Sequence, residues 1–488
     1  MASVHFVDPV SKQKKRILEG ASLMAELLQV FEKTVEQRIG VDAPFEKREQ
    51  AVLEVANAVS KHQLERDLQR IEEGFADQLL IDSVVFQRSH PSCKGTYYSL
   101  CGPLHVKRGR YREVGQRNGP TVVPLELAAG LVEGASPALA FSIALDYTRL
   151  TSREYVESMD GAHRIVPSRS KVERIGKALG KEARQAAPSI ERYLRPGEVI
   201  PDDSVAISVG LDRTSVPYEE LRAEGEPPKT RRKKRTKPYV RKPPPAVDVN
   251  FRMDYVGTVS LVDVDGEMLE VRKYTATHEE GGDGILRRMM LDIRAWKKRR
   301  PDLVVGIVQD GAPELWNKLR GALEAEPSVD SWREAIDKYH LSERLGEVLK
   351  LTEISEEIAK NQMEDWNREL DEDDATIDRI QKHLENSQWW MESDSPQKLK
   401  EALTYIENNK DRMRYVAIRA VGLPVGSGIT EGSCKSLTGT RVKRSGQRWH
   451  TDGVSAVLTL RAIHQSNRLP RFWKHLSNRY RANIEKAA

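Results

Sequence analysis

The sequence predicts an α/β core on a mixed five-stranded sheet, carrying a helical insertion and preceded by a mainly helical N-terminal region. Three observations predict it. The alternating run Val205, Ile207, Val209, Leu211 ends in Asp212, a strand pattern. Phe251–Val264 and Glu267–Thr277 also alternate, and Asp265-Gly266 between them is a hairpin turn. A segment with Ile285, Leu286, Met289, Met290, Ile293 and Trp296 at helical spacing follows; Asp283 is placed to cap it and Pro301 to stop it. It leads into the near-continuous apolar run Leu303–Val308, closed by Asp310. Three antiparallel strands, a crossover helix and a parallel strand make the RNase H-like order, which sets Asp212 and Asp310 on neighbouring strands.

The remaining elements fall into place around that core. Residues 1–88 read as helical, with Leu53, Val55, Ala58, Val59, Leu68, Ile71 and Phe75 on one stripe, a packed hairpin or a dimerisation surface. Residues 89–118 read as a small β-hairpin turning at Gly102-Pro103. Residues 119–197 return to helix. Thr151–Met159 and Pro167–Ile175, joined through Asp160-Gly161, fit either a helix-turn-helix with Arg169 and Lys171 near the start of its second helix, or an ordinary helical pair. The core occupies 198–340, with a basic, Pro-rich arm over 226–247; 341–414 is the helical insertion, and 415–488 completes the core with basic C-terminal helices.

Composition narrows the class of protein. A chain of 488 residues suggests two to four domains, and 39% hydrophobic with 31% charged residues describes a water-soluble chain with a real core. No apolar run of about 18 residues is present, so no membrane span is expected, and the start carries no signal-peptide pattern. Three cysteines do not make a disulfide framework and suit a reducing compartment. Net charge is only +5, but its distribution is uneven. Lys229–Lys242 and the chain beyond Arg441 are rich in Lys and Arg, whereas acids gather elsewhere, as in Glu369–Asp374. Segregation of this kind favours a polyanionic partner.

Glu431 opens a helix after Leu423-Pro424-Val425-Gly426-Ser427-Gly428. With Asp212 and Asp310 it gives three carboxylates at strand ends and a helix start. Such a set can hold two divalent cations about 3.5–4 Å apart for in-line attack on a phosphodiester. Magnesium prefers these hard oxygen ligands, with Mn2+ able to substitute. Asp212 would bridge both ions, with Asp310 on one and Glu431 on the other. A single Asp at a strand end is far more often a cap or turn residue; the joint pattern is what singles these out. Lys435 follows Glu431 by one helical turn and shares its face, and Arg441, Lys443, Arg444 and Arg448 would continue a phosphate-binding track, unless they are a solvated basic face. Trp449 reads as a packing residue, and so do Trp389-Trp390.

Val209–Pro217, Asp310–Trp316 and Leu423–Trp449, with Gly426-Ser427-Gly428-Ile429-Thr430-Glu431 at their centre, resemble the DDE transposases of bacterial insertion sequences, ISKra type. The resemblance covers the catalytic region well and the hairpin Gly102–Arg108 more loosely. It implies magnesium-dependent strand cleavage and strand transfer on double-stranded DNA (terminal inverted repeats and target), a homodimer or higher oligomer on that DNA, and a bacterial, nucleoid-associated cytoplasmic protein. Asp337-Lys338-Tyr339-His340 looks like the acid-x-x-His signature of Mutator-like transposases. His340 would then orient a phosphate or a metal-bound water; otherwise it is a core histidine. His90, Cys93, Cys101 and His105 have spacing compatible with zinc, although a further cysteine pair expected from the resemblance is absent around Arg112–Gln116. Two rival readings stand beside the transposase: an RNase H-like nuclease that only hydrolyses, and a domesticated relative that only binds DNA.

Overall fold

The computed structural model describes residues 9–222, 247–350, 354–386 and 396–487. The chain divides into two compact units, one of 1–143, 151–175 and 477–488, the other of 144–150 and 176–476. Among the described residues, no helix is long and apolar enough to cross a membrane.

In the first unit, helices α1 (Pro9–Ile39) and α2 (Phe45–Glu73) pack through Val35, Ala51 and Val55. A five-stranded antiparallel sheet follows where a short hairpin was expected. Its strands are β1 (Gln78–Ile81), β2 (Val84–Ser99), β3 (Gly102–Glu113), β4 (Thr121–Val122) and β10 (Ile484–Lys486), ordered β10-β1-β2-β3-β4. Pro91 lies inside β2 because register shifts between Arg88 and Cys93 absorb it, the kind of irregularity that tolerates proline in a sheet. Strand β4 reaches only Tyr111 and Arg112 of β3. Along the rest of that edge, side chains of α2 take the place of a strand. Glu65, Gln69 and Glu72 accept hydrogen bonds from the backbone N–H of His105, Lys107 and Gly109, at 2.8, 3.1 and 2.8 Å. The helix thus closes an edge that would otherwise be open to pairing.

The candidate zinc ligands are spread along this hairpin. Cys93 pairs with Arg108 and Thr96 with His105, while Cys101 sits at the turn. Some six strand residues, about 20 Å, separate the His90/Cys93 end from Cys101, so the four cannot share one ion.

Short helices α3 (Pro124–Ala129) and α4 (Pro137–Tyr147) precede α5 (Ser152–Gly161) and α6 (Arg169–Leu194). The Thr151–Glu154 capping box starts α5, with Thr151 Oγ1 accepting from Glu154 N at 3.2 Å and Thr151 N donating to Glu154 Oε2 at 2.7 Å. Residues 162–168 connect α5 to α6, a longer link than the three to four residues of a helix-turn-helix.

The second unit is built on β5 (Ala206–Leu221), β6 (Val247–Val262), β7 (Met268–Ala276), β8 (Val304–Gln309) and β9 (Arg333–Ile336), ordered β7-β6-β5-β8-β9. The first three are antiparallel, and β5–β8 and β8–β9 are parallel. This is the RNase H-like strand order. Helix α7 (Asp283–Arg299) makes the crossover into β8. Its N-cap is Gly282, not Asp283, whose carboxylate pairs with Lys318 at 2.8 Å instead. The first strand runs well past Asp212 because β6 accompanies it to Leu221. Apart from Val247, the basic arm expected over 226–247 lies outside the described residues, as do Trp389 and Trp390.

After α8 (Pro313–Glu324) and β9 come α9 (Lys338–Leu349), α10 (Glu356–Glu372), α11 (Thr376–Asn386), α12 (Pro396–Asn409) and α13 (Tyr415–Arg419). Leu345, Trp366, Ile380, Ile406 and Tyr415 from these helices belong to the same apolar core as Ile207, Val209, Met289, Trp296 and Ile307 of the sheet layer. The chain closes with α14 (Gly428–Cys434), a π-helical turn Lys435–Gly439, α15 (Thr451–Gln465) and α16 (Leu469–Leu476). The basic C-terminal helices expected within 415–488 end at Leu476, and the chain goes on to strand β10.

A buried ionic network locks this unit together. Arg195 meets Asp292 at 2.6 Å and Glu191 at 3.1 Å. Arg468 meets Glu198 at 2.6 Å and Asp292 at 2.9 Å. All five side chains are buried. Burial opposes charge on Asp292, but Arg468 and Arg195 overcome it and hold the carboxyl down to about 2; Glu198 is lowered for the same reason. Removing one partner leaves a buried charge uncompensated. Arg468→Met should therefore cost about 3–5 kcal/mol, read as a lower urea midpoint. Because the folded-state values lie below the unfolded ones, the stabilisation is complete above about pH 4–5. It should fade as pH drops toward 2, and a pH series of thermal melts should show wild type losing its advantage over Arg468→Met across that window.

Candidate active site

Strand β8 pairs with β5 only over Ala206–Val209. Past that point the β5 surface is open on one side, and Asp212 emerges there. Asp310 follows the last residue of β8. Its loop is pinned by Trp316, whose indole N–H donates to the Asp310 carbonyl at 2.6 Å, and by Ala312 N, which donates to Asp310 Oδ1 at 3.2 Å.

Glu431 arrives on α14, which lies against β5 and β6 at Gly210. A Cβ at Gly210 would stand 2.0 Å from Thr430 Oγ1, so only glycine lets this helix approach. Thr258 and Thr430 hydroxyls meet at 2.7 Å beside it. The π-helical turn that follows is a distortion often found at functional sites.

Asp212, Asp310, His340 and Glu431 line one cavity of about 390 Å3, with Cys434, Lys435 and Lys443 on its wall. His340 Nε2 lies 3.0 Å from Glu431 Oε1 and Nδ1 lies 3.3 Å from Glu343 Oε2. Ser427 Oγ lies 3.1 Å from Glu431 Oε1. Cys434 Sγ–H donates to Asp212 Oδ2 at 3.2 Å. Burial raises the Asp212 carboxyl above the usual range, and the nearby Asp310 and Glu431 charges push it the same way, against hydrogen bonds from Cys434 and Arg213 N. Burial likewise raises the Cys434 thiol, reinforced by Asp212. Burial alone would lower His340, but Asp337, Glu431 and Glu343 outweigh it and favour the imidazolium.

Among the described residues, the group of three or more such side chains whose potential ligand atoms all lie within 4.8 Å of one another is Asp337, His340 and Glu431. Asp337 is nevertheless occupied. Its Oδ1 caps α9 by accepting from Tyr339 N at 2.7 Å and His340 N at 3.2 Å, and its Oδ2 accepts from Ser427 N and Oγ. It joins the start of α9 to the loop before α14 and so brings His340 to Glu431. Asp212 and Asp310 stand outside this tight group but line the same cavity as His340 and Glu431. Hard carboxylate oxygens lining one cavity are the donor type a divalent cation takes. Neither Asp337's clamp nor the Cys434–Asp212 contact was apparent beforehand; Cys434 at three residues beyond Glu431, on the same helix face, was the available signal.

The basic residues divide. Lys435 is 81% exposed and 3.6 Å from Glu431, and Lys443 Nζ donates to Thr214 Oγ1 at 2.6 Å. Arg448 is exposed, 3.8 Å from Glu219. Arg444 donates to the carbonyls of Thr440 and Arg149. Arg441 is only 2% exposed, sandwiched between the Tyr147 and Trp449 rings at 5.6 and 5.2 Å, so it packs rather than facing a phosphate. Arg169 donates to Ser152 Oγ at 3.3 Å, and Lys171 lies 3.8 Å from Glu133 with its ammonium disfavoured by burial. Both are engaged within the first unit.

The sequence matches no family model and no curated protein. Among solved structures, similarity is found to a Mos1 transposase paired-end complex with left transposon end, at 11% identity and TM-score 0.16, covering 58% of this chain and 79% of that one. A Mos1 mariner paired end complex with Mn shows 12% identity and the same TM-score, covering 50% of this chain and 62% of that one. With TM-scores this low, the meaning of the site rests on its own geometry.

Gly210→Ala should push α14 off β5 and cost about 1–3 kcal/mol, the range for overpacking. Gly432→Ala, with nothing within 4 Å of the added carbon, is the control and should be neutral or stabilising by up to about 1 kcal/mol. Urea unfolding of the two variants checks both.

Proposed function

We propose that this chain is a DDE transposase of the bacterial insertion-sequence kind, similar to the ISKra type, which cleaves and joins DNA strands through Asp212, Asp310 and Glu431. The observation that carries the reading is the meeting of these three carboxylates in one cavity. They come from a mid-sheet strand, the end of its parallel neighbour and the start of a helix packed on both antiparallel strands.

Magnesium held by the three carboxylates would supply Lewis acidity to the scissile phosphate and lower the pKa of the attacking hydroxyl or water. The protein's own part is positioning. Gly210 and the Thr258–Thr430 contact set the height of Glu431 over the sheet, and Trp316 sets the Asp310 loop. His340, whose imidazolium form is favoured by Asp337, Glu431 and Glu343, would add positive charge facing a phosphate at the cavity mouth. Lys435 and Lys443 add positive charge to the cavity wall, where a DNA backbone would pass. The partners are double-stranded element ends and target DNA, bound by a dimer or larger assembly in a bacterial cytoplasm.

Asp310→Asn keeps the shape of the side chain and removes its charge. It should abolish magnesium-dependent cleavage of end-bearing DNA, by a factor of at least about a thousand, while binding persists in a gel shift. Cleavage at wild-type rate would reject the metal assignment.

A further inference from the structure

The catalytic cavity does not end at Asp310. It shares Asp310 and His340 with a second cavity of about 530 Å3, and that one shares Gly311, Pro313, Arg344 and Tyr405 with a third of about 550 Å3. The three form one groove from the carboxylates, over the Gly311 loop, to the face of α12. Gly311 is what keeps the passage shallow on the protein side: a Cβ there would sit 2.6 Å from the Tyr405 ring.

The far lobe has a chemistry of its own. Arg320, Arg344, Lys400 and Arg412 line it against one carboxylate, Glu401. Behind them, Arg320 and Arg412 both reach Glu334, at 2.7 and 2.9 Å, which fixes their guanidiniums in place. Arg344 lies over the Tyr405 ring at 4.2 Å, and among the described residues neither it nor Lys400 has a carboxylate within 4.0 Å. Trp316 forms the floor under Arg412, and its indole nitrogen holds the Asp310 carbonyl. Fixed guanidiniums on aromatic rings, at a volume within the roughly 300–1,000 Å3 of small-ligand pockets, suit phosphates joined to flat bases. The middle lobe differs: Asp310, Glu343 and Glu347 face Arg344, so its walls accept hydrogen bonds from base amino groups and repel phosphate except at Arg344.

We infer that this groove is a subsite for a single strand of DNA, seating unpaired nucleotides that adjoin the scissile phosphate, with their phosphates on Arg344 and Lys400. The inference rests on the strand-cleaving reading of the carboxylates, which supplies the strand that enters the groove.

The test uses the full chain and a DNA duplex carrying a single-stranded arm of zero to six thymidines, in buffer without divalent cations so that no cleavage occurs. Fluorescence anisotropy at several salt concentrations gives affinity and salt slope for wild type, Lys400→Glu and Arg344→Ala/Lys400→Ala; equal thermal melts establish folding. Wild type should bind the armed duplex more tightly than the blunt one by about tenfold, the worth of one charge-assisted contact. The double variant should lose that gain, keep its blunt-duplex affinity, and lower the salt slope on the arm by about 0.7 for each cation removed. An arm that adds nothing to wild-type binding, or a gain and slope unchanged in both variants, overturns the subsite. Blunt-duplex binding and magnesium cleavage that persist in that case leave the catalytic reading standing; a wild type that binds neither duplex overturns both.

Discussion

The whole site depends on one steric allowance, the missing side chain at Gly210. Thr430 Oγ1 occupies the space a Cβ would need, and this contact fixes α14 over the strand that carries Asp212. The interval between Asp212 and Glu431 is therefore set by the Thr430 side chain seated directly on the bare strand backbone, a close-packed contact. Leu423 repeats the device one strand away, where its methyls fill the space beside Gly306 of β8. The two glycines let the returning chain lie flat across the sheet and deliver its helix beside the carboxylates.

Around this geometry the charges are arranged to be incomplete. The charges of Asp310 and Glu431 disfavour ionisation of the buried Asp212, and the Cys434 hydrogen bond offsets only part of that repulsion. Asp337, the most buried acid nearby, contributes none of it as a ligand because two helix starts consume its oxygens. Far from the cavity the opposite policy holds. Arg195, Arg468, Asp292, Glu198 and Glu191 are matched within the interior, and there the balance serves rigidity.

Much of the second unit was legible from periodicity. The alternation before Asp212, the Asp265-Gly266 turn and the apolar stripe before Pro301 correspond to β5, the β6–β7 turn and α7. These are local signals, and local signals survive in one sequence. What was not legible depends on partners distant in the chain. Strand β10 exists only because β1 offers an edge some four hundred residues earlier in the chain, and three paired residues carry no pattern. Strand β2 is longer than the expected hairpin because it runs on through Pro91, which the register shifts between Arg88 and Cys93 accommodate. Arg441 looked like part of a basic track; two aromatic rings, one of them nearly three hundred residues upstream, turn it inward. Of the site itself, the acidic residues could be picked out by type and context, but Asp337's double cap and the Cys434 contact needed three dimensions.

The segment between α14 and α15 has one more effect. Beyond Val209 the outer margin of β5 has lost β8, leaving a long bare row of peptide groups. Trp449 answers it: its N–H donates to the Pro217 carbonyl at 3.1 Å, its carbonyl accepts from Glu219 N at 2.8 Å, and Pro217 has no N–H to leave unmet. A stretch held this way by Trp449, and by Lys443 on Thr214 Oγ1, screens the hairpin from adding a foreign strand, the usual route from an unguarded margin to clumping. Whatever loosens that stretch would then harm solubility as well as chemistry.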